Sequence, residues 1–314
     1  MNKISTSLFM EDELQTAEIS LEEKQKLELY LSNFSYNPQQ IEFIHSPLEN
    51  SKLIGIPGGG KTQSIIGKIL YHYINNDFIK TQNYILLTFS KKTNLEFLQK
   101  AYSVFSDNDG EKYFQRSNVR TIHSLASRIN QLYISEENET SQDTVIISAL
   151  HHILQDSSKI VDIEELRDLK VIFVDESQDI SSIQYEFICS LQKILNDIPI
   201  NMIGDPNQNI YQFQKGNDYY LMNHPGRTYY LIQNYRSIPA IINLINYFRP
   251  WTELTPRMIP GRNMEGIENI KPIIFSGSIE EVLDNVIKKI KESKEFKRPT
   301  TRYKVNIRSK KKLN

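Results

Sequence analysis

Short, nearly continuous apolar runs alternate along this chain with longer stretches in which apolar residues recur every three or four positions. The runs are LIGI (Leu53–Ile56), YILLTF (Tyr84–Phe89), NVRTI (Asn118–Ile122), VIFVD (Val171–Asp175), IPINMIGD (Ile198–Asp205) and YYLIQ (Tyr229–Gln233). Runs of this length without polar alternation suit strands buried on both faces. Helical spacing follows most of them: Ile65, Ile66, Ile69 and Leu70, a segment from about Lys92, HSLASRI, Tyr185–Leu195 and Ala240–Tyr247. Such alternation predicts an α/β domain whose parallel sheet is covered by helices on both faces. A further helix is predicted at Leu21–Leu31, inside a polar lead-in of residues 1–35. Residues 134–165, polar and then helical, read as a small insertion.

Sheets of this kind bind ligands outside the carboxyl ends of their strands, and two segments there carry recognisable chemistry. Gly55–Thr62 reads GIPGGGKT, between an apolar strand and a helix. Backbone N–H groups of such a loop cradle a nucleotide's phosphates, with Lys61 at the β- and γ-phosphates and Thr62 on Mg²⁺. Gly58, Gly59 and Gly60 allow the close backbone approach, and the helix N-terminus adds its dipole. The second segment, VIFVDESQD (Val171–Asp179), delivers Asp175 to the Mg²⁺ and Glu176 to an attacking water. Together they predict a site that hydrolyses ATP. Gln208, in GDPNQNIYQF (Gly204–Phe213), is placed to sense a γ-phosphate, and Tyr211 and Phe213 to stack on bases.

Composition narrows the setting. The chain has 314 residues, 39% hydrophobic and 24% charged, enough apolar material for a large core. It has no run of about 18 apolar residues and no apolar signal core near its start, so no membrane partner and a cytoplasmic location are expected, nucleoid-associated or nuclear according to the host. The single cysteine, Cys189, excludes a disulfide within the chain and is expected to be a buried thiol. The net charge of −1 hides an asymmetry: Lys288–Asn314 holds 12 Lys and Arg against 2 Glu. That basic end suits either phosphate binding or a solvated helix face.

The ordered motifs resemble those of the UvrD/Rep/PcrA-type superfamily 1 DNA helicases. NPQQ (Asn37–Gln40) resembles the family's Q motif, GIPGGGKT its motif I and ILLTFSKKT (Ile85–Thr93) its motif Ia. TIHSL (Thr121–Leu125) resembles the TFHSL element, DESQD (Asp175–Asp179) motif II, GDPNQNIYQF motif III and QNYRS (Gln233–Ser237) motif IV. The match spans about Asn37 to Ser237. The resemblance implies a RecA-like P-loop fold over residues 36–270, with a short insertion around 126–168 and the incomplete start of a second RecA-like domain over 271–314. It implies that Gln40 reads the adenine edge, Tyr235 stacks on the base and Arg236 reaches the γ-phosphate. It also implies single-stranded DNA or a single/double-strand junction as partner, contacted by Phe89, Thr121, His123, Tyr211 and Phe213, with movement from 3′ to 5′.

Three departures shape the expected function. Leu125–Asp175 is only 51 residues, short for the family's inserted accessory domain. Gln214 stands where the family commonly has arginine. Motifs V and VI of a second RecA-like domain are not found, and RYKVNIRSKKKLN (Arg302–Asn314) reads as that domain's first strand. The chain is therefore expected to be the ATP-binding half of a helicase or translocase, with another polypeptide or a continuation supplying the second domain. The alternatives are a nucleotide-dependent module that binds nucleic acid or a partner without translocating, and a motor-inactive fragment.

Overall fold

The computed structural model describes residues 19–79, 81–105, 109–133, 141–160, 163–209, 217–249, 252, 255–261 and 277–292. The chain divides into two units, residues 1–268 and 269–314.

The first unit opens with α1 (Leu21–Ser32), started by Ser20, whose hydroxyl accepts the Glu23 N–H. Within the expected lead-in, Leu27 and Tyr30 of α1 are buried in the core. The short α2 (Pro38–Ile44) was not evident from apolar spacing; a reciprocal cap between Asn37 and Gln40, with proline in its first turn, starts it. Then follow β1 (Ser51–Gly55), α3 (Lys61–Ile74), β2 (Tyr84–Thr88), α4 (Lys91–Tyr102), α5 (Gly110–Tyr113) and β3 (Val119–Thr121). Next come α6 (Ile122–Asn130), α7 (Gln142–Gln155) and α8 (Glu164–Arg167). The domain continues through β4 (Val171–Val174), α9 (Ser182–Ile194), β5 (Ile200–Gly204), α10 (Tyr219–Asn223), β6 (Arg227–Leu231), β7 (Gln233–Asn234), α11 (Pro239–Phe248) and β8 (Ile259–Pro260).

Six strands form one sheet in the order β3-β2-β4-β5-β1-β6, every pairing parallel. Successive side chains of a strand point to opposite faces, so the apolar runs divide between two cores. Tyr84, Leu86, Val171 and Phe173 join the side occupied by Leu27, Ile65, Ile69 and Phe97. Ile85, Leu87, Ile172 and Val174 join Leu125, Ile129, Ile146, Phe187 and Ile188 on the other. Each fully buried aliphatic or phenyl side chain contributes about 1.5–3 kcal/mol, which is why the strands lack polar alternation.

One expectation is corrected. Cys189 is half-buried rather than buried, because the core-facing stripe of α9 runs through Gln184, Phe187, Ile188 and Leu191. The thiol sits on the flank beside Tyr185, and partial burial raises its pKa. In the second unit, α12 (Ile279–Glu292) begins with Ser278 and Glu281 capping each other's backbone N–H. Arg302–Asn314 lies outside the described residues.

Candidate nucleotide site

Because the sheet is parallel, the loops after β1, β2, β4, β5 and β6 all leave its carboxyl edge. There a cavity of about 620 Å³ is lined by Gln40, Gly58, Gly59, Gly60, Lys61, Thr62, Glu176, Tyr235 and Arg236, drawn from four separate sequence segments. Phe34, Ser35, Tyr36, Ile56, Gln63 and Lys100 complete it.

The glycine loop is shaped for an anion. The first residue of α3 is Lys61, and no side chain caps that end, so its first N–H groups face the cavity without a capping partner. Gly58 and Gly60 have φ of 69° and 88°, which side-chain-bearing residues rarely adopt. A Cβ on Gly60 would lie 2.5 Å from Gln40 Nε2, and one on Gly58 would lie 2.6 Å from the Arg236 Cβ. Lys61 Nζ donates to Gly55 O at 3.2 Å, folding the ammonium back over the loop it belongs to. This cradle fits a polyphosphate.

Hydrogen bonds fasten the Q-like segment and the QNYRS segment to that loop. Asn37 accepts from the Gln40 N–H at 2.8 Å, and the Gln40 carbonyl oxygen accepts from the Asn37 N–H at 3.0 Å. The amide nitrogen of Gln40 is thereby turned toward Gly60. Asn37 Nδ2 donates to the Tyr235 hydroxyl at 2.8 Å, and the Tyr235 N–H donates to Gly58 O at 3.0 Å. Buried Asn234 donates to Pro57 O at 2.8 Å and accepts from the N–H groups of Arg236 and Ser237. Tyr235 and Arg236 are thus held at the cavity wall by the residue before them.

Asp175 follows β4 and is 5% exposed. Burial and the neighbouring Glu176 charge raise its pKa, while Lys61, the Glu176 N–H and Lys100 oppose the rise. A buried carboxylate of that kind favours a cation beside it. Glu176 adopts φ 51°, a left-handed conformation that turns its side chain from the strand into the cavity. Gln178 Nε2 donates to Glu176 Oε2 at 2.9 Å, and Gln178 Oε1 accepts from the Asp205 N–H at 3.0 Å. Among the described residues no three His, Cys, Asp or Glu side chains cluster. Thr62 lines the cavity, whereas Asp175, buried at the end of β4, is not part of its lining; these are the two side chains that would hold Mg²⁺, which takes one or two protein ligands and completes its shell with phosphates and water.

Other sequence-predicted residues lie elsewhere. Gly55 ends β1 beneath the loop. Gln208 does not line the cavity; its amide donates to Asp205 at 2.8 Å. Thr121 is buried and caps α6 by accepting the Ser124 N–H. His123 is half-buried, with Nε2 lacking a hydrogen-bond partner and its pKa lowered by burial against the opposing charge of Asp143. Phe89 is half-buried just after β2. Tyr211, Phe213 and Gln214 lie outside the described residues.

Sequence reasoning missed the aromatic wall of Phe34 and Tyr36, whose rings lie 5.7 Å apart, and Lys100 near the C-terminal end of α4. Burial and Arg236 lower the Lys100 pKa, with Asp175 opposing. Phe34 lies in the polar lead-in and Tyr36 directly after it, where no apolar pattern marks them; nothing in the local pattern of α4 marks Lys100.

The parallel sheet, the uncapped helix behind a glycine loop and the buried aspartate at the end of β4 define a P-loop domain of RecA-like architecture. The UvrD/REP helicase N-terminal domain family matches residues 36–162 and 130–225. A protein of Acanthamoeba polyphaga mimivirus, named as an ATP-dependent DNA helicase, is 32% identical over 242 residues, covering 76% of this chain and 33% of that relative. This chain belongs to the UvrD/REP helicase N-terminal domain family. It spans about a third of the length of the mimivirus relative. Among solved structures it is similar to Pif1 helicase from Bacteroides in complex with ADP-AlF3 and ssDNA: 15% identity, TM-score 0.39, covering 69% of this chain and 46% of that one. It is also similar to Pif1 helicase from Candida albicans, at 14% identity and TM-score 0.41, covering 83% and 55% of the two chains. Among the described residues no helix is long and apolar enough to cross a membrane.

Proposed function

We propose that this chain is the ATP-binding half of a superfamily 1 DNA helicase or translocase that couples Mg-ATP hydrolysis to 3′-to-5′ movement on single-stranded DNA. The observation that carries the reading is the cavity itself: Gln40, the glycine loop, Glu176 and the Tyr235–Arg236 pair line one space although they lie up to 196 positions apart. Lys61 and the first N–H groups of α3 bind the phosphates, and Arg236 faces them from the opposite segment. Tyr235 and Gln40 hold the base. Glu176, fixed by Gln178, orients the attacking water and receives its proton. Thr62 and Asp175 would hold Mg²⁺, which when bound would supply positive charge to offset that developing on the phosphates.

Phe89, Thr121, His123, Tyr211 and Phe213 contact the single strand in this reading, and a second RecA-like domain closes on the nucleotide. An arginine finger from such a domain contributes about 10³–10⁵ in rate, so turnover by this chain alone is expected to be slow. The test is ATP turnover by the purified chain with and without single-stranded DNA. Lys61→Ala is expected to abolish nucleotide binding, and Glu176→Gln to keep binding while removing turnover. Unchanged ATP affinity in Lys61→Ala would refute the phosphate-site assignment. Mg-ATP binding without any turnover would favour the nucleotide-dependent binding module instead.

A further inference from the structure

The last turn of α11 exposes two large aromatic side chains and buries a charged one. Tyr247 and Phe248 are 82% and 70% exposed. The next residue, Arg249, closes the helix by donating its N–H to Ile245 O, and its side chain turns inward to 6% exposure. Its guanidinium meets the wholly buried Asp205 carboxylate as a two-pronged fork, Nη1 to Oδ2 at 2.9 Å and Nη2 to Oδ1 at 2.8 Å. Burying such a pair costs several kcal/mol per ion in lost hydration, so it is a poor device for stability alone. A fork does fix the plane and direction of the carboxylate, which a point charge does not.

Asp205 is a junction. Its carboxylate also accepts the Asn207 N–H at 3.1 Å and the Gln208 amide at 2.8 Å. Its own N–H donates to Gln178 Oε1 at 3.0 Å. The other end of the Gln178 amide donates to Glu176 Oε2 at 2.9 Å, while Ser177 Oγ pins the same turn to Ile203 O at 2.7 Å. An unbroken line of hydrogen bonds therefore joins the end of α11 to a carboxylate in the nucleotide cavity.

We propose that Arg249 is a positioning residue for hydrolysis, holding Asp205 and, through Gln178, the Glu176 carboxylate in register with the nucleotide. The proposal rests on the reading of Glu176 as the group that orients water. Arg249 itself does not line the cavity, so its loss should slow the chemical step and leave nucleotide binding alone.

The experiment compares the wild-type chain with Arg249→Met, Arg249→Lys and the double variant Arg249→Gln/Asp205→Asn, which leaves no buried charge unpaired if Arg249→Met fails to fold. Fluorescent ATP-analogue affinity, single-turnover hydrolysis of Mg-ATP and amide hydrogen exchange at residues 176–179 and 205–209 are measured on each. Expected are an affinity within about twofold of wild type, a hydrolysis rate lower by about tenfold or more in Arg249→Met and in the double variant, and partial recovery in Arg249→Lys. Exchange should rise in both loops. Unchanged rate and exchange in the folded variants would overturn the proposal, as would equal losses of affinity and rate. If the wild-type chain shows no hydrolysis, the binding-module reading replaces that of a motor, and exchange decides the coupling: faster exchange at 176–179 sustains it and unchanged exchange refutes it.

Discussion

Replacing Lys68 with methionine tests how the two helices flanking the cavity are joined. Lys68 lies on α3 and is wholly buried, with Nζ donating to Ser46 Oγ at 2.6 Å, Ser46 O at 2.7 Å and Phe43 O at 3.1 Å. These acceptors cluster at the C-terminal end of α2, the helix that carries Gln40, and the ammonium also lies 5.0 Å from the Phe43 ring centroid. Burial pushes its pKa down to about 7, with Glu49 and Asp77 opposing. His72 is the other titrating neighbour; burial lowers its pKa while its hydrogen bond to Asp77 opposes. Between pH 7 and the ordinary lysine value of about 10.5, the unfolded chain thus binds a proton at this position that the folded chain has released. Stability conferred by Lys68 must then rise with pH across that window, by close to ~1.4 kcal/mol per pH unit at its steepest, and level off below about pH 7. Lys68→Met keeps similar length and removes the titration, although it strands the Ser46 and Phe43 carbonyls at about 1–3 kcal/mol. Urea unfolding of both proteins at pH 6, 7, 8, 9 and 9.5 gives the difference, read above pH 7 because the Lys68 charge also lowers the His72 pKa. Wild type should gain on the variant steadily above pH 7. Parallel stability curves, or a gap that closes as pH rises, would show that the carbonyls of α2 hold the ammonium charged despite burial.

Two further outcomes are expected around the cavity. Gly58→Ala forces a side chain onto φ 69° and against the Arg236 Cβ, so it should cost about 1–3 kcal/mol in thermal or chemical unfolding and weaken ATP binding by loosening Tyr235 and Arg236. Lys100→Ala removes a cation that lines the cavity beside Asp175 and Arg236; ATP affinity should fall several-fold while ADP affinity changes less, measured by competition against a fluorescent analogue, and equal losses for both would place Lys100 away from the γ-phosphate.

The motifs legible in the sequence alone are local. A glycine loop between a strand and a helix, an acidic pair after an apolar strand and each short motif taken by itself depend on residues within about ten positions, where backbone geometry and periodicity act directly. The parallel sheet followed from runs that are apolar on both faces, and Tyr84–Leu87 indeed divide between the two cores. Tertiary structure decided which distant groups meet. Asn37 and Tyr235 are 198 positions apart, and Asp205 and Arg249 are 44, so their pairing depends on how helices pack and leaves no periodic trace. For the same reason Lys100 enters the cavity lining from α4, and Phe34 and Tyr36 enter it from the segment before α2. A strand or helix reveals in sequence which of its faces is apolar; which partner covers that face, and which polar group it carries into a site, is fixed only when the chain has folded.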